Sequence, residues 1–164
     1  MIDPRGFRDV IDRFATGVTV MTTAARDTLH GMTASAVASL SLDPVLVLVC
    51  VDHAAPMHDL VLASRVFALS FLDAESEAVA VHFAEPYDPG VAQQFAAIAV
   101  RPEVTGSPVL EIALGYVDCE VVETHDSGDH LIVVGRVVVL GAGTRDDPLL
   151  FYRGGYRRLQ PPDS

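Results

Sequence analysis

The sequence contains no lysine, no tryptophan and only two cysteines. All eleven basic residues are arginine, which excludes a lysine Schiff base and a P-loop lysine together. Cys50 and Cys119 sit in apolar, strand-like runs without a CxxC partner. They read as small buried residues, not as a disulfide or a metal pair. There is no HExxH, and His30, His53, His58, His82 and His125 are scattered without zinc spacing, so no metal site is expected. There is no GxGxxG, which weakens a dinucleotide-binding parallel sheet. No apolar run reaches the roughly 18 residues that a spanning helix needs. MIDPRGFRDV lacks the cationic-then-apolar layout of a signal peptide. These absences predict a cytoplasmic chain with no membrane partner. Positive charge is also short: 22 acids against 11 arginines give a formal charge of −11. Such a surface repels phosphate backbones, so nucleic acid is not an expected partner.

Apolar residues are plentiful. Half of the 164 residues are hydrophobic, and mean hydropathy is +0.35. Without repeats, linkers or low-complexity tracts, residues 1–164 read as one domain whose surplus apolar surface closes a subunit interface. Phe7, Val10, Ile11 and Phe14 recur at helical spacing after Pro4 and predict a helix over 4–14. GVTVMTTAA (17–25) reads as a strand, 26–30 as a polar turn, and 32–41 as a second strand ended by LDP. VLVLVCV (45–51) reads as a central strand buried on both faces. Pro56 to Ala63 suggests a helix, and 65–72 a strand. Asp73 is the expected N-cap of a helix with Glu75 and Glu77 in its first turn, and 91–98 suggests another short helix. Two long strand-like runs, 109–124 and 130–140, are joined by the turn-rich HDSGD. Strands outnumber helices, and the longest two are hairpin neighbours. The pattern favours an antiparallel barrel with helices outside.

Three stretches invite functional interpretation. GMTASAVASLS (31–41) has no charge and no aromatic ring, and its four hydroxyls, on Thr33, Ser35, Ser39 and Ser41, all fall at odd positions. On a strand they share one face, with Ala34, Ala36, Ala38 and Leu40 on the other. A row of short hydroxyls leaves room for a flat ligand and can reach phosphate oxygens; it is equally the exposed face of a barrel strand. In GDH, Gly128 permits a positive φ, and Asp129 can accept from the His130 ring. The histidine then either contacts a ligand or sits in a solvent-exposed turn. YRGGYRRL (152–159) can bind an anion through guanidinium forks or seal a dimer.

FATGVTVMTT (14–23), HGMTASAVASLSLDPVLVLVCVD (30–52), GDHLIVVGRV (128–137) and PLLFYRGGYRRL (148–159) together resemble, in order and spacing, the flavin reductase-like, FMN-binding split-barrel family. The resemblance implies a mainly β, six-stranded antiparallel split β-barrel of Greek-key type with flanking helices, homodimeric, with flavin near the subunit interface. It also implies an NAD(P)H:flavin oxidoreductase. Such an enzyme moves hydride from NADH or NADPH to FMN or FAD and supplies the reduced flavin to a separate monooxygenase. By the family's pattern Thr33, Ala34, Ser35 and Ala36 lie along the ring, and Ser39 and Ser41 toward the phosphate. Cys50, Val51 and Asp52 border the flavin. His82 stands where relatives often carry a basic phosphate contact, ahead of Phe83 and Ala84. Gly128, Asp129 and His130 match the motif whose histidine looks toward the nicotinamide, and Tyr152, Arg153 and Tyr156 match a motif near the same cleft. Loop 85–91 is where an adenosine half would be sorted. Two rival activities share the barrel: a flavin-storing or sensing module, and a pyridoxamine-phosphate-oxidase-like enzyme.

Overall fold

The computed structural model describes residues 2–26, 28–86 and 94–160. Helix α1 (Pro4–Ile11) starts where Asp3 accepts from the Arg5 and Gly6 amides. The expected helix over 4–14 is therefore three residues shorter, and Phe14 lies outside it. None of its apolar residues is buried: Phe7, Val10 and Ile11 all face solvent in the single chain. The strands that follow are β1 (Thr16–Gly17), β2 (Thr19–Ala25), β3 (Thr28–Ala34), β4 (Val37–Leu42) and β5 (Val45–Asp52). Next come α2 (Pro56–Ser64), β6 (Val66–Phe71), α3 (Glu77–Ala84), β7 (Val100–Pro102) and β8 (Pro108–Leu110). The hairpin β9 (Gly115–Ser127) and β10 (His130–Ala142) leads to β11 (Leu149–Tyr152) and β12 (Gly155–Arg158).

The large sheet is antiparallel, in the order β3-β2-β6-β9-β10-β5-β4. It has seven strands rather than six because the single strand expected over 32–41 is broken. Ser35 and Ala36 belong to no strand, and β3 and β4 lie at opposite ends of the sheet order. Two residues cannot span more than roughly 11 Å between flanking Cα atoms. The sheet must therefore roll until its edges meet, and the Cys50 amide donates to the Ala36 carbonyl at 3.0 Å on the β5 side of that junction. A small sheet, β1-β11-β12, and the pair β7-β8 complete the fold.

Rolling gives the sheet an inside. Met21, Val49, Val51, Phe67, Leu69, Leu131 and Val133 fill it, with Met57 and Val61 of α2 closing one end. Val18, Val20, Leu72, Phe83, Leu110 and Leu149 form a second cluster on the outer face under α3. The strand buried on both faces is β2, not β5, where Val49 and Val51 point inward while Cys50 and Asp52 do not. The buried hydroxyls of β2 are all bonded: Thr19 to the Ala34 carbonyl, Thr22 to that of Pro108, and Thr23 to that of Val66. Burying them unbonded would cost several times more than the net gain of a typical hydrogen bond.

Three other sequence expectations shift. The turn before β3 is shorter than 26–30, since Thr28 already pairs with Ala25. Asp73 does not cap α3. It accepts from the Glu75 amide, the Ser76 hydroxyl and Arg145, organising the turn before a helix that starts four residues later, and Glu75 pairs instead with Arg158. Residues 91–93 of the helix expected over 91–98 lie outside the described residues, and 94–97 form turns.

Gly135, at a register shift in β10, lies under the Phe67 ring. A Cβ there would stand 2.6 Å from Phe67 Cε1 and 2.9 Å from Cys119 Cβ. Gly135→Ala is expected to lose about 1–3 kcal/mol of unfolding free energy by overpacking, read by urea titration, and Phe67→Leu in the same chain to restore part of it.

Candidate functional site

Where the two sheet edges meet, residues 33–36 form one wall of a cleft of about 640 Å³, within the roughly 300–1,000 Å³ usual for small-molecule sites. Cys50 and Asp52 of β5 stand on the wall, with Ala54, Ala55 and Pro56 where β5 turns into α2. Phe83, Ala84, Glu85 and Pro86 come from the end of α3, and Phe151 and Tyr156 from the C-terminal hairpin. His130 reaches in from the β9–β10 turn. Small residues on one side and aromatic residues on the other leave a slot suited to a flat ring.

The backbone of β3 explains why this wall can hydrogen-bond a ligand. Antiparallel pairing points the N–H and C=O of alternate residues toward the neighbouring strand and those of the others away from it. At Gly31 the outward groups are taken by one side chain: the Gln94 amide accepts from the Gly31 N–H at 2.9 Å and donates to its carbonyl at 2.7 Å. Thr33, two residues on, presents its main chain in the same direction, toward the cleft. Its hydroxyl is committed elsewhere, donating to the Ala80 carbonyl of α3 at 2.6 Å. A side chain at position 31 would strike Phe83, 2.7 Å away at Cε1, so glycine is what lets α3 lie this close.

Of the residues singled out from sequence, Thr33, Ala34, Ser35, Ala36, Cys50, Asp52, Phe83, Ala84, His130 and Tyr156 come together on the cleft wall. The others lie off it. Ser39 and Ser41 are carried away by β4, and Ser41 accepts from the Asp43 amide in the turn that follows. Val51 is fully buried in the core. The His82 ring bonds the Gln94 carbonyl at 2.8 Å. Gly128, with φ +69°, and the exposed Asp129 make the turn behind His130. Tyr152 and Arg153 flank the hairpin turn, where Arg153 and Gly154 both have positive φ and the Arg153 amide donates to the Asp12 carbonyl.

Several wall residues carry no strong sequence signal: Val18, His30, Gly31, Met32, Glu85 and Pro86. Phe151 is another: the C-terminal motif pointed to Tyr152, and the register instead sets Phe151 opposite Tyr156 and Tyr152 opposite Gly155. Loop 85–91 is described only as far as Pro86.

Among the described residues that line the wall there is no arginine; the charged ones are Asp52 and Glu85, and two histidines, His30 and His130, stand with them. Burial holds the His30 ring below its ordinary pKa, so it is neutral. Asp129 accepts from His130 Nδ1 at 2.7 Å, and that hydrogen bond holds its carboxyl below the usual range. An ionised Asp129 fixes a proton on Nδ1, leaving Nε2 as the nitrogen able to meet a ligand. Burial raises the Cys50 thiol, and burial plus the neighbouring Asp118 pushes Cys119 up to about 12.

The fold and site define a mainly β protein with a slot for a planar, hydrogen-bonding ligand. Residues 11–160 match the model of the flavin reductase like domain, and the chain belongs to that family. It is 40% identical, over 98% of its length and 84% of the relative's, to the reductase subunit of a flavin-dependent monooxygenase from Mycobacterium tuberculosis. An NADH-dependent flavin reductase of a Rhodococcus species is also 40% identical, over 97% of this chain and 88% of that one. Among solved structures, an NADH:FAD oxidoreductase of Streptomyces globisporus with NAD and FAD fragments superposes with a TM-score of 0.90. It is 33% identical and covers 100% of this chain and 99% of that one.

The two thiols offer a check. Cys50 is expected to react with a thiol reagent in the folded protein, Cys119 only after unfolding, and excess FMN to slow Cys50 by about fivefold or more. Equal Cys50 rates with and without FMN, measured by mass spectrometry, would place the ring elsewhere.

Proposed function

We propose that this chain is an NADH-dependent flavin reductase that accepts FMN or FAD and supplies the reduced flavin to a separate monooxygenase. The observation that carries it is the slot itself. The wall at 33–36, the small residues Cys50, Ala54 and Ala55, and the rings of Phe83, Phe151 and Tyr156 enclose a space wide enough for a tricyclic ring. The residues present suit the group: the wall is built of small side chains that leave its main chain accessible, and His130 lines the same cleft. The relatives' names supply the chemistry to test there.

A flavin held in the slot supplies the hydride acceptor, and a reduced nicotinamide the donor. The protein's part is position, because hydride transfer between two rings needs no protein nucleophile. Holding two rings face to face replaces several kcal/mol of entropic barrier. In this reading the 33–36 main chain orients the flavin edge. The aromatic residues Phe83, Phe151 and Tyr156 exclude water, and His130, steadied by Asp129, positions the nicotinamide. No arginine is among the described residues of the wall, so in this reading the flavin phosphate falls to backbone N–H groups, those of the first turn of α2 after Pro56 among the candidates. The chain acts as one domain in a split barrel, as a homodimer. The apolar residues that face solvent in one copy support this: Phe7, Val10 and Phe14 at the N-terminus, and Leu40, Leu42 and Leu140 on the sheet.

Mixing the purified protein with NADH and free FMN or FAD, and following reduced-nicotinamide absorbance, tests the activity. Consumption of many equivalents supports a reductase; a single equivalent supports a storage or sensing module. His130→Ala is expected to raise the nicotinamide KM about tenfold, roughly 1.4 kcal/mol, while leaving the flavin KM within about twofold. Two unchanged constants would remove His130 from the site.

A further inference from the structure

The last paired residues of β5 and β10 are Asp52 and His130. Beyond them the β9–β10 turn overhangs the end of the sheet, carrying His130 with it. One residue of the next corner ties that overhang down. The His53 amide donates to the Asp129 carbonyl at 3.0 Å. The His53 ring approaches Asp126 Oδ1 through Nε2 at 3.3 Å. On its other side it meets the His58 ring of α2 edge-on, with centroids 5.0 Å apart. His53 therefore touches the outgoing strand of the hairpin, its tip and the helix that closes the sheet. Its backbone neighbours Asp52, Ala54, Ala55 and Pro56 all line the cleft, as His130 does.

We propose that His53 is a positioning residue: its amide on the Asp129 carbonyl and its ring against Asp126 together clasp the hairpin tip and so fix where His130 stands over the cleft. This rests on the reductase reading given above. An imidazole nitrogen set against a carboxylate restrains both side chains, by the modest amount that an exposed pair supports. The charged groups around it divide cleanly. From β9, Asp126 faces the ring, while the preceding His125 pairs with Glu123. At the tip, Asp129 is bonded to His130 and lies within the field of His53. From α2, His58 is bonded to Asp59, so its own carboxylate offsets any charge it carries beside His53. On its own strand, Asp52 accepts from the Ala54 amide. Asp126 is thus the carboxylate left to the His53 ring.

The test is steady-state kinetics at one pH. His53→Gln and Asp126→Asn are each expected to raise the nicotinamide KM roughly two- to fivefold, the size an exposed pair supports, with the flavin KM and kcat within about twofold, and the double variant to add little beyond His53→Gln. Amide exchange at residues 128–130, compared at one pH, should be faster in His53→Gln than in the wild type, a readout independent of turnover. The clasp is overturned if His53→Gln keeps the wild-type nicotinamide KM, or if tip exchange is unchanged. If instead His130→Ala leaves the nicotinamide KM unchanged while tip exchange still responds to His53, the clasp stands and the role given to His130 falls.

Discussion

The fold turns on the break at Ser35 and Ala36. Because those two residues join the first and last strands of the sheet order, the sheet has to roll and its edges have to meet. An unrolled seven-stranded sheet would leave Met21, Phe67 and Leu69 facing water. Fully burying side chains of this kind is worth about 1.5–3 kcal/mol each relative to exposure. The hydrogen bond from Cys50 to Ala36 is the local signature of that closure. The cleft exists because closure there is imperfect: β3 and β5 converge without becoming ladder neighbours, and the gap between them is the slot.

Residues along that seam are small for two reasons at once. Gly31 is needed because Phe83 lies where its side chain would be, which lets α3 pack against β3. Ala34, Ala36, Cys50, Ala54 and Ala55 are small where the slot needs width. An edge strand normally exposes a row of unpaired groups that invites aggregation. Here Gln94 covers the edge at Gly31, bonding both its N–H and its carbonyl, and α3 anchors the Thr33 side chain beside it. What stays open is the short stretch to which a ligand is assigned. Protecting the edge and building the site are therefore one design problem, solved on adjacent residues.

Much of this was legible in the sequence where local chemistry decides structure. The turn at Gly128 follows from its neighbours, and Pro56 starts a helix by itself. The tripeptide alone left His130 open between a ligand contact and a solvent-exposed turn, and the family resemblance is what named it. The break at 35–36 was not legible. No glycine or proline marks it, and the alternation of hydroxyls and alanines runs straight through it, so periodicity predicts one strand where the chain turns. What decides is a partner on β5, Cys50, fourteen residues beyond Ala36. Ser39 and Ser41 left the candidate site for that reason. Phe151 illustrates a different limit. Both it and Tyr152 are aromatic, and only the register, set by the Arg153 and Gly154 turn, puts Phe151 rather than Tyr152 beside Tyr156. Likewise Asp73 looked like a helix cap because the demand of Arg145, seventy-two residues away, is invisible to a local reading.

Charge gives the proposed activity its final constraint. A ligand that must be handed on should not be held tightly, and the wall is built accordingly. Among the described residues that line it, Asp52 and Glu85 are acidic and none is arginine. A carboxylate near an anionic ligand opposes it, weakly where water lies between them. A chain without a single lysine and with a formal charge of −11 extends the same bias over its surface. The affinity has to come from shape at the seam between β3 and β5, while the field around it favours departure. Those are the two requirements a supplier of diffusible reduced flavin has to meet together.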